Sequence, residues 1–165
     1  MQTFMPYSDF EKVAKCLDNK RLGKQRIEAW QIYNVLKLLK RRGYLLDKKL
    51  KNILSYEEDI ELATYYPIAW ENHPIVKMWK GHEAVLCAYG MDMCYEWSII
   101  RGFKDTLYSK FRHELDNVQI SGSPPKWIFD EELQLTHQSN LVRKFPEHYS
   151  KYFPNVPNNL EYKWY

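Results

Sequence analysis

The spacing of apolar residues between Asn19 and Arg42 is the feature that most constrains the fold of this chain. Apolar side chains recur there at intervals of three and four residues, which places them on one face of an α-helix with about 3.6 residues per turn. We expect Gly43 to end this helix. The pattern predicts one long central helix whose apolar face carries Ala29, Ile32, Tyr33, Leu36 and Leu39.

Capping residues, prolines and glycines divide the rest of the chain into further helical segments. Capping boxes occur at Ser8 and Ser55, each followed three positions later by glutamate. Asn72-His73-Pro74 is typical of a helix start with proline in the first turn. The predicted helices are a short one after Ser8, one from Ser55 to Pro67, one from Pro74 broken by Gly81, a long one over His82–Ile100 ending at Gly102, and weaker ones over Asp105–Val118, Leu133–Lys144 and from Pro146.

The remaining segments give no sign of β-structure or of a second domain. No pair of alternating stretches is joined by a hairpin turn. Ser121–Pro125 is predicted to be a loop, and the segment from Pro154 to Tyr165 an irregular strap with closing aromatic residues. A chain of 165 residues with 45% hydrophobic residues can bury one core. We therefore expect an all-α fold, a compact single-domain helical bundle over residues 1–165.

Composition excludes several classes of function. No stretch is apolar enough to span a membrane, and the amino terminus lacks a signal-peptide layout, so we expect a soluble, intracellular protein. The three cysteines, Cys16, Cys87 and Cys94, are expected to pack as free thiols in a reducing compartment. No motif for a metal site or a glycine-rich phosphate loop is present, and we expect no cofactor. The net charge of +3 permits a polyanionic partner without requiring one.

One segment, Leu17 to Glu28, places a carboxylate on a helix crowded with cations. Lys24 lies four residues before Glu28 and Arg21 seven before it, so the three side chains share a face of the helix. Arg26 lies about 200° around the helix from Glu28. Two interpretations remain open on this pattern alone: a solvated surface with ordinary ion pairs, or a site for chemistry on an anion.

Other polar clusters also leave two interpretations open. The basic residues at Lys37 to Arg42 and at Lys48 to Lys51 fit a solvated face or a track for phosphates. Thr136 to Lys144 combines hydroxyl, amide, imidazole and cationic side chains. That combination suits contacts to a phosphate or to a base rotated out of the duplex, and it equally suits helix capping with a solvated end.

Three motifs resemble the phage-type pyrimidine-dimer DNA glycosylase family, the endonuclease V group. Leu17-Asp18-Asn19, with Leu22 and Glu28, resembles the helix that carries the family's essential glutamate. Asn72-His73-Pro74, followed by a helix to Arg101-Gly102-Phe103, resembles the long helix that ends in an arginine-glycine-aromatic turn. The closing Tyr162-Lys163-Trp164-Tyr165 resembles the family's aromatic and basic carboxyl-terminal segment. The resemblance covers most of residues 1 to 106 and the tail.

The resemblance implies a DNA glycosylase with an associated abasic-site lyase activity on damaged or modified pyrimidines. Its nucleophile would be the α-amine of Met1, which we expect to be retained because Gln2 is bulky. An α-amine, with an ordinary pKa of about 7.7–8.0, is unprotonated near neutral pH far more often than a lysine. Glu28 would stabilise positive charge on the sugar and move protons. We expect a monomer acting on double-stranded DNA, without a metal ion or a membrane.

This chain departs from the family at two positions. Family members usually carry arginine directly after the terminal residue and directly before the glutamate, where this chain has Gln2 and Ile27. Contacts to DNA must therefore come from other groups, with Arg21 and Lys24 the first candidates. The full set of candidate DNA-binding residues is Gln2, Lys20, Arg21, Lys24, Arg26, His73, His137, Asn140, Arg143, Lys144, Tyr162, Lys163 and Trp164.

Two other functions stay open on the sequence alone. A nucleic-acid-binding module could keep the fold without catalysis, and a hydrolase directed at RNA or nucleotides could use the same scaffold. Trapping of a covalent intermediate with borohydride separates the first from a glycosylase of this kind. A comparison of RNA, single strands and duplexes as substrates separates the second.

Overall fold

A computed structural model describes residues 1–50, 68–117 and 122–165, without the side chains of residues 45–50. Within these ranges the chain forms seven α-helices and no strand, so the predicted all-α fold is confirmed. The helices are α1 (Phe10–Cys16), α2 (Asn19–Leu50), α3 (Pro74–Trp79), α4 (Glu83–Tyr95), α5 (Tyr108–Asn117), α6 (Glu131–Lys144) and α7 (Pro146–Tyr149). A π-helical segment, Glu96–Ile100, extends α4, and a 3₁₀ turn, Lys126–Phe129, precedes α6.

Helix α1 begins one residue later than the capping box predicts. Its N-cap is Asp9, whose side chain accepts a hydrogen bond from the Lys12 backbone amide at 2.9 Å. The prediction of Ser8 as the cap is therefore wrong. Glu11 pairs instead with Lys15 one turn further along the helix. Asp and Ser are similarly good N-caps, so spacing alone did not separate them.

Helix α2 continues past Gly43, which was wrongly predicted to end it. The helix runs to Leu50. A glycine ends a helix where the backbone turns into the left-handed region, and Gly43 keeps a negative φ. An ion pair of 2.6 Å between Arg42 and Glu71 ties this part of the helix to the turn before α3. Glycine in a helix interior costs only about 1 kcal/mol relative to alanine.

The segment from His73 to Gly102 follows the predicted boundaries closely. His73 is the N-cap of α3, and its Nδ1 accepts a hydrogen bond from the Ile75 amide at 3.2 Å. Gly81 and Gly102 have φ of +85° and +75°, the left-handed backbone that separates α3 from α4 and closes the π-helical segment. Within that segment the Arg101 amide donates to the Glu96 carbonyl, five residues back.

The core forms between α2 and α4. Helix α4 packs along α2 and also contacts α1 and α5, while α3 packs against α2. Buried side chains from all of these helices meet there, among them Leu22, Ile32, Trp79, Tyr89 and Phe111. Helix α5 begins at Tyr108, later than predicted, because the Asp105 carboxylate accepts hydrogen bonds from the Leu107 and Tyr108 amides at 3.1 and 2.7 Å and so caps it.

The amino-terminal segment, residues 1–5, lies across this core without helical structure. The Trp79 indole donates a hydrogen bond to Thr3 Oγ1 at 2.9 Å. The Met5 amide donates to His137 Nδ1 at 2.9 Å. These contacts with α3 and α6 fix the position of the chain terminus.

The segments between and after the helices were also predicted from the sequence. The predicted helix from Ser55 to Pro67, together with Val118 and Ser121, lies outside the described residues. The predicted loop and strap are confirmed where they are described, since residues 122–125 and 154–165 carry no helix or strand.

All three cysteines are buried and free of disulfide bonds, and burial raises the pKa of the Cys16 thiol to about 12. In the described parts of the chain, no helix is both long and apolar enough to cross a membrane.

Candidate active site at the amino terminus

The α-amine of Met1 lies beside the carboxylate of Glu28. The two groups are 3.9 Å apart, measured from the amine nitrogen to Glu28 Oε1. Glu28 is 7% exposed, and the Met1 side chain packs against the core. A carboxylate so far removed from water keeps its charge only with partners nearby. The residues around this pair provide those partners.

Gln25 connects the amino-terminal segment to Glu28. Its Oε1 accepts hydrogen bonds from the Phe4 amide at 2.8 Å and from the Tyr89 hydroxyl at 2.7 Å. Its Nε2 donates to the Gln2 carbonyl at 2.9 Å and to Glu28 Oε2 at 3.1 Å. Gln25 is 1% exposed, and every hydrogen-bonding position of its amide is used. The terminus and the carboxylate are therefore held in one fixed arrangement.

Cations approach Glu28 from the solvent side. Lys24 Nζ lies 3.5 Å from Glu28 Oε1, one helical turn away as its spacing predicts, and the Lys24 side chain is 69% exposed. Lys144, at the end of α6, is also exposed. Burial and the neighbouring charges of Arg143, Arg21 and Lys24 lower the pKa of Lys144. These four cations thus form a positive patch that reaches Glu28 through Lys24.

An aromatic cluster lies within electrostatic reach of the pair. The ring of His73 contacts Trp164, with centroids 6.0 Å apart, and Trp164 contacts Tyr162 at 5.7 Å. Burial and then the terminal ammonium lower the pKa of His73, against an opposing effect of Glu28. Burial raises the pKa of Tyr162 to about 12, with Glu28 contributing. Glu28 therefore acts electrostatically on both rings, and the terminal ammonium acts on His73.

The side-chain amide of Gln2 has no hydrogen-bond partner in the described parts of the chain. Its Nε2 and Oε1 are both buried, and neither makes a hydrogen bond within the described residues. The Gln2 carbonyl is held by Gln25. A buried amide without partners typically costs about 1–3 kcal/mol for each group, so native structures rarely keep one without a reason.

Two residues predicted to contact DNA lie inside the protein. His137 is 2% exposed and Asn140 is fully buried. Burial lowers the pKa of His137 to about 3, so its ring is neutral and accepts from the Met5 amide. Asn140 donates to the carbonyls of Thr136 and Leu160 at 2.8 and 3.0 Å. Both positions connect α6 to the two terminal segments.

The candidate DNA-binding cations differ in how many ion pairs and hydrogen bonds they already form within the protein. Arg21 pairs with Asp18 at 2.7 Å and donates to the Lys144 carbonyl at 3.0 Å. Arg143 contacts Asn140 and lies 3.9 Å from Glu161, and Lys20 is exposed on the first turn of α2.

Two of the candidate cations, Arg26 and Lys163, form ion pairs away from Glu28. Arg26 pairs with Asp105 over the Trp97 ring. Lys163 pairs with Asp130 and Glu132 at 2.9 and 2.6 Å.

Sequence reasoning missed the residues that hold the site together. Gln25 stands three residues before Glu28, a helical spacing at which side chains meet, and this signal was available. Thr3 is fully buried, and nothing in its sequence context indicates a role. The basic cluster at Lys37 to Arg42 contains structural ion pairs, because Lys37 pairs with Glu114 and Arg42 with Glu71. The side chains of Lys48, Lys49 and Lys51 lie outside the described residues.

No arrangement suited to a metal ion occurs in the part of the chain that the structure describes. No group of three or more histidine, cysteine, aspartate or glutamate side chains is placed to hold one there. The terminus itself brings an amine, a carboxylate and an amide together.

Comparison with known proteins identifies a family for this chain. The family model described as pyrimidine dimer DNA glycosylase matches residues 1–110, which contain Met1, Glu28 and His73. The chain therefore belongs to the pyrimidine dimer DNA glycosylase family. No curated protein and no solved structure gives a significant match. Membership in the family implies a DNA glycosylase activity and DNA as the partner.

Proposed function

We propose that this protein is a DNA glycosylase with an associated abasic-site lyase activity that uses the α-amine of Met1 as its nucleophile. The observation that carries the proposal is the 3.9 Å separation between that amine and the buried Glu28 carboxylate. Catalytic contacts are often longer in a free enzyme than in its substrate complex. The substrate is a damaged or modified pyrimidine in double-stranded DNA.

In the proposed reaction the unprotonated amine attacks C1′ of the deoxyribose. The bond between C1′ and the base breaks, and the base leaves with the electron pair and takes up a proton. The sugar ring then opens to a Schiff base between C1′ and the terminal nitrogen. Loss of a C2′ proton allows the C3′–O bond to break, and water finally releases the amine. Each step moves a proton that a carboxylate in the position of Glu28 can accept or return.

Glu28 also stabilises the positive charge that develops on the sugar and on the Schiff base. It is 7% exposed, so a charge next to it interacts more strongly than it would in water. Gln25 holds Oε2 and leaves Oε1 facing the amine and Lys24. The carboxylate is thereby oriented before substrate binds.

The phosphates of the bound strand are proposed to contact the positive patch beside the amine. Its exposed members are Lys24 on α2 and Arg143 and Lys144 on α6, and the exposed Lys20 precedes Lys24 by four residues on α2. Arg21 supports this patch by joining Asp18 to the end of α6. The unpartnered amide of Gln2 is proposed to hydrogen-bond the DNA next to the nucleophile.

A panel of defined duplexes tests the function. Duplexes with a thymine dimer, an abasic site or a hypermodified pyrimidine are incubated with the protein, beside undamaged duplex, single-stranded DNA and RNA. We expect strand cleavage of the abasic duplex and base release from at least one damaged duplex. Binding to DNA without either product would contradict the proposal and favour a binding module. Cleavage of RNA alone would favour a hydrolase directed at RNA.

A further inference from the structure

Trp70 is held in an unusual conformation close to the candidate active site. Its φ is +69°, and it is the one residue other than glycine with positive φ among those that the structure describes. Its side chain is 59% exposed. Left-handed backbone costs a residue with a bulky side chain roughly 1–2 kcal/mol. A strained, exposed tryptophan requires an explanation beyond packing.

The turn that carries Trp70 is closed on both sides. The Glu71 amide donates to the Ile68 carbonyl at 3.1 Å, and the His73 amide donates to the Trp70 carbonyl at 2.9 Å. The first of these hydrogen bonds closes a four-residue turn from Ile68 to Glu71, in which Trp70 is the third residue. A type II turn requires positive φ at this position and favours glycine there. The ion pair between Glu71 and Arg42 fixes the turn to α2. The indole is therefore carried by a hydrogen-bonded turn that is tied to α2.

A series of ring contacts leads from Trp70 to the amino-terminal segment. The Trp70 ring lies 5.7 Å from His73, and His73 lies 6.0 Å from Trp164. Beyond Trp164 the series continues through Tyr162 to His137, which binds the Met5 amide. Trp70 and Trp164 are the exposed members, at 59% and 38%. These two rings and His73 form an aromatic rim, and His73 lies close enough to the terminal ammonium for that charge to lower the pKa of its ring.

We propose that Trp70 stacks on a nucleobase that is unpaired in the bound DNA, and that it forms with His73 and Trp164 a base-binding rim at the mouth of the active site. This inference rests on the proposed function. Aromatic rings receive bases of any sequence because every base has a π face. The adjacent positive patch of Lys24 and Lys144 attracts the backbone of the same strand.

The assignment explains why the turn tolerates strain. An attack on C1′ requires access to a nucleotide that the duplex otherwise keeps stacked. An aromatic ring at the mouth of the site offers an unstacked base a new contact in place of the lost one. A glycine at position 70 would relieve the backbone and remove that contact. The tryptophan thus exchanges stability for binding.

Trp70→Gly tests the proposal, with Trp70→Phe as the conservative variant and Tyr95→Ala as the matched control. Tyr95 is 47% exposed and lies on α4 beside the cavity that Ile99 and Tyr108 line. Affinity is measured for a fully paired duplex and for one in which a 2-aminopurine faces a tetrahydrofuran abasic analogue. The 2-aminopurine fluorescence reports stacking, and the analogue cannot be cleaved.

We expect Trp70→Gly to reduce the preference for the duplex with the unpaired base roughly five- to hundredfold. Its melting temperature should be equal to or above that of the wild type, because glycine accepts positive φ. Trp70→Phe should retain most of the preference, and Tyr95→Ala all of it. An unchanged preference in Trp70→Gly would overturn the proposal. So would a lowered melting temperature with equal losses on both duplexes, which indicates a structural role.

A separate measurement on the wild-type protein tests the proposed function independently of Trp70. Borohydride trapping of the wild-type protein on an abasic duplex reports the Schiff base and does not depend on recognition of a base. Absence of trapping with an intact preference for the unpaired base would contradict the proposed chemistry alone. Trapping without that preference in the wild type would contradict only the assignment of Trp70.

Discussion

Glu28 and Met1 are brought together by one buried side chain. Gln25 binds the carboxylate and the backbone of the terminal segment with a single amide, so the distance between the amine and the carboxylate depends on its four hydrogen bonds. Burial raises the pKa of Tyr89 well above its ordinary value, which keeps its hydroxyl a donor to Gln25. The roles of individual residues can therefore be tested by small changes in charge.

Glu28→Gln removes the charge and keeps the shape of the side chain. We expect base excision to fall at least about 100-fold, because both proton transfer and stabilisation of the cationic sugar need the carboxylate. DNA affinity should change little. Single-turnover kinetics and a binding titration measure the two effects. Glu114→Gln serves as the control. It alters a carboxylate on α5 that binds Tyr33 and Lys37 of α2. Wild-type turnover in Glu28→Gln would show that Glu28 is a structural ion-pair residue.

His137 predicts a pH dependence of stability. Burial lowers its folded-state pKa to about 3, whereas an unfolded histidine titrates near 6.5. Between these values the unfolded chain binds a proton that the folded chain does not, so stability falls as the pH drops below about 6.5, by up to roughly 1.4 kcal/mol per unit. His137→Asn keeps an acceptor for the Met5 amide without titrating. Denaturant unfolding at several pH values between 4.5 and 7.5 gives the free energy of unfolding as a function of pH. This free energy should fall less steeply with decreasing pH in the variant than in the wild type, and an equal pH dependence in both would contradict this account.

At the scale of elements, the site is a junction between the amino-terminal segment and α2. Helical spacing predicted that Lys24 and Glu28 share a face of α2, and the structure confirms it. The spacing could not show that residues 1–5 lie across that face, because extended chain held by side-chain hydrogen bonds has no periodicity. The same limit applies to His137 and Asn140, whose polar character suggested DNA while their burial assigns them to internal contacts.

The boundaries of elements show a further limit of sequence reasoning. Gly81 and Gly102 end helices and Gly43 does not, although all three interrupt helical patterns. The difference lies in the backbone conformation that the surrounding packing imposes. The three-residue delay at the start of α5 arises in the same way, from the capping of its first amides by Asp105. Trp70 likewise carried no sequence signal for positive φ.

Gln25→Met tests the junction with little change of volume. It leaves the Phe4 amide and the Gln2 carbonyl without their partners, so we expect a loss of about 2 kcal/mol or more in the free energy of unfolding. We also expect kcat to fall more than the affinity for DNA does, because the amine is displaced from Glu28. Gln134→Met, which removes the hydrogen bond to the Ile128 carbonyl before α6, is the control. Equal losses of kcat in both variants would argue against a positioning role for Gln25.

For the whole molecule, a net charge of +3 makes the distribution of charge more informative than its total. Many cations are neutralised within the fold, among them Arg26 by Asp105, Arg101 by Glu96 and Lys163 by Asp130. Lys24 and Lys144 are exposed beside the candidate active site, although Lys24 also pairs with Glu28 at 3.5 Å. We expect binding to DNA to depend on this patch.

Replacing Lys24 and Lys144 together by alanine should weaken duplex binding and flatten its salt dependence. Each lost phosphate contact reduces the slope of log affinity against log salt by about 0.9, so the pair should reduce it by about 1.8. Lys110→Ala, on α5 near Trp30, is the control. Titrations at several salt concentrations provide the slopes. A slope unchanged in the double variant would place the backbone contacts elsewhere.

The central claim is that the terminal amine is the nucleophile, and the site of covalent attachment tests it most directly. The protein is incubated with an abasic duplex, reduced with borohydride, digested and examined by mass spectrometry, with a second sample whose terminus carries an uncleaved tag. We expect DNA on the peptide that begins with Met1, and no adduct in the tagged sample until the tag is removed. DNA attached to a lysine peptide, or equal trapping with the terminus blocked, would contradict the mechanism.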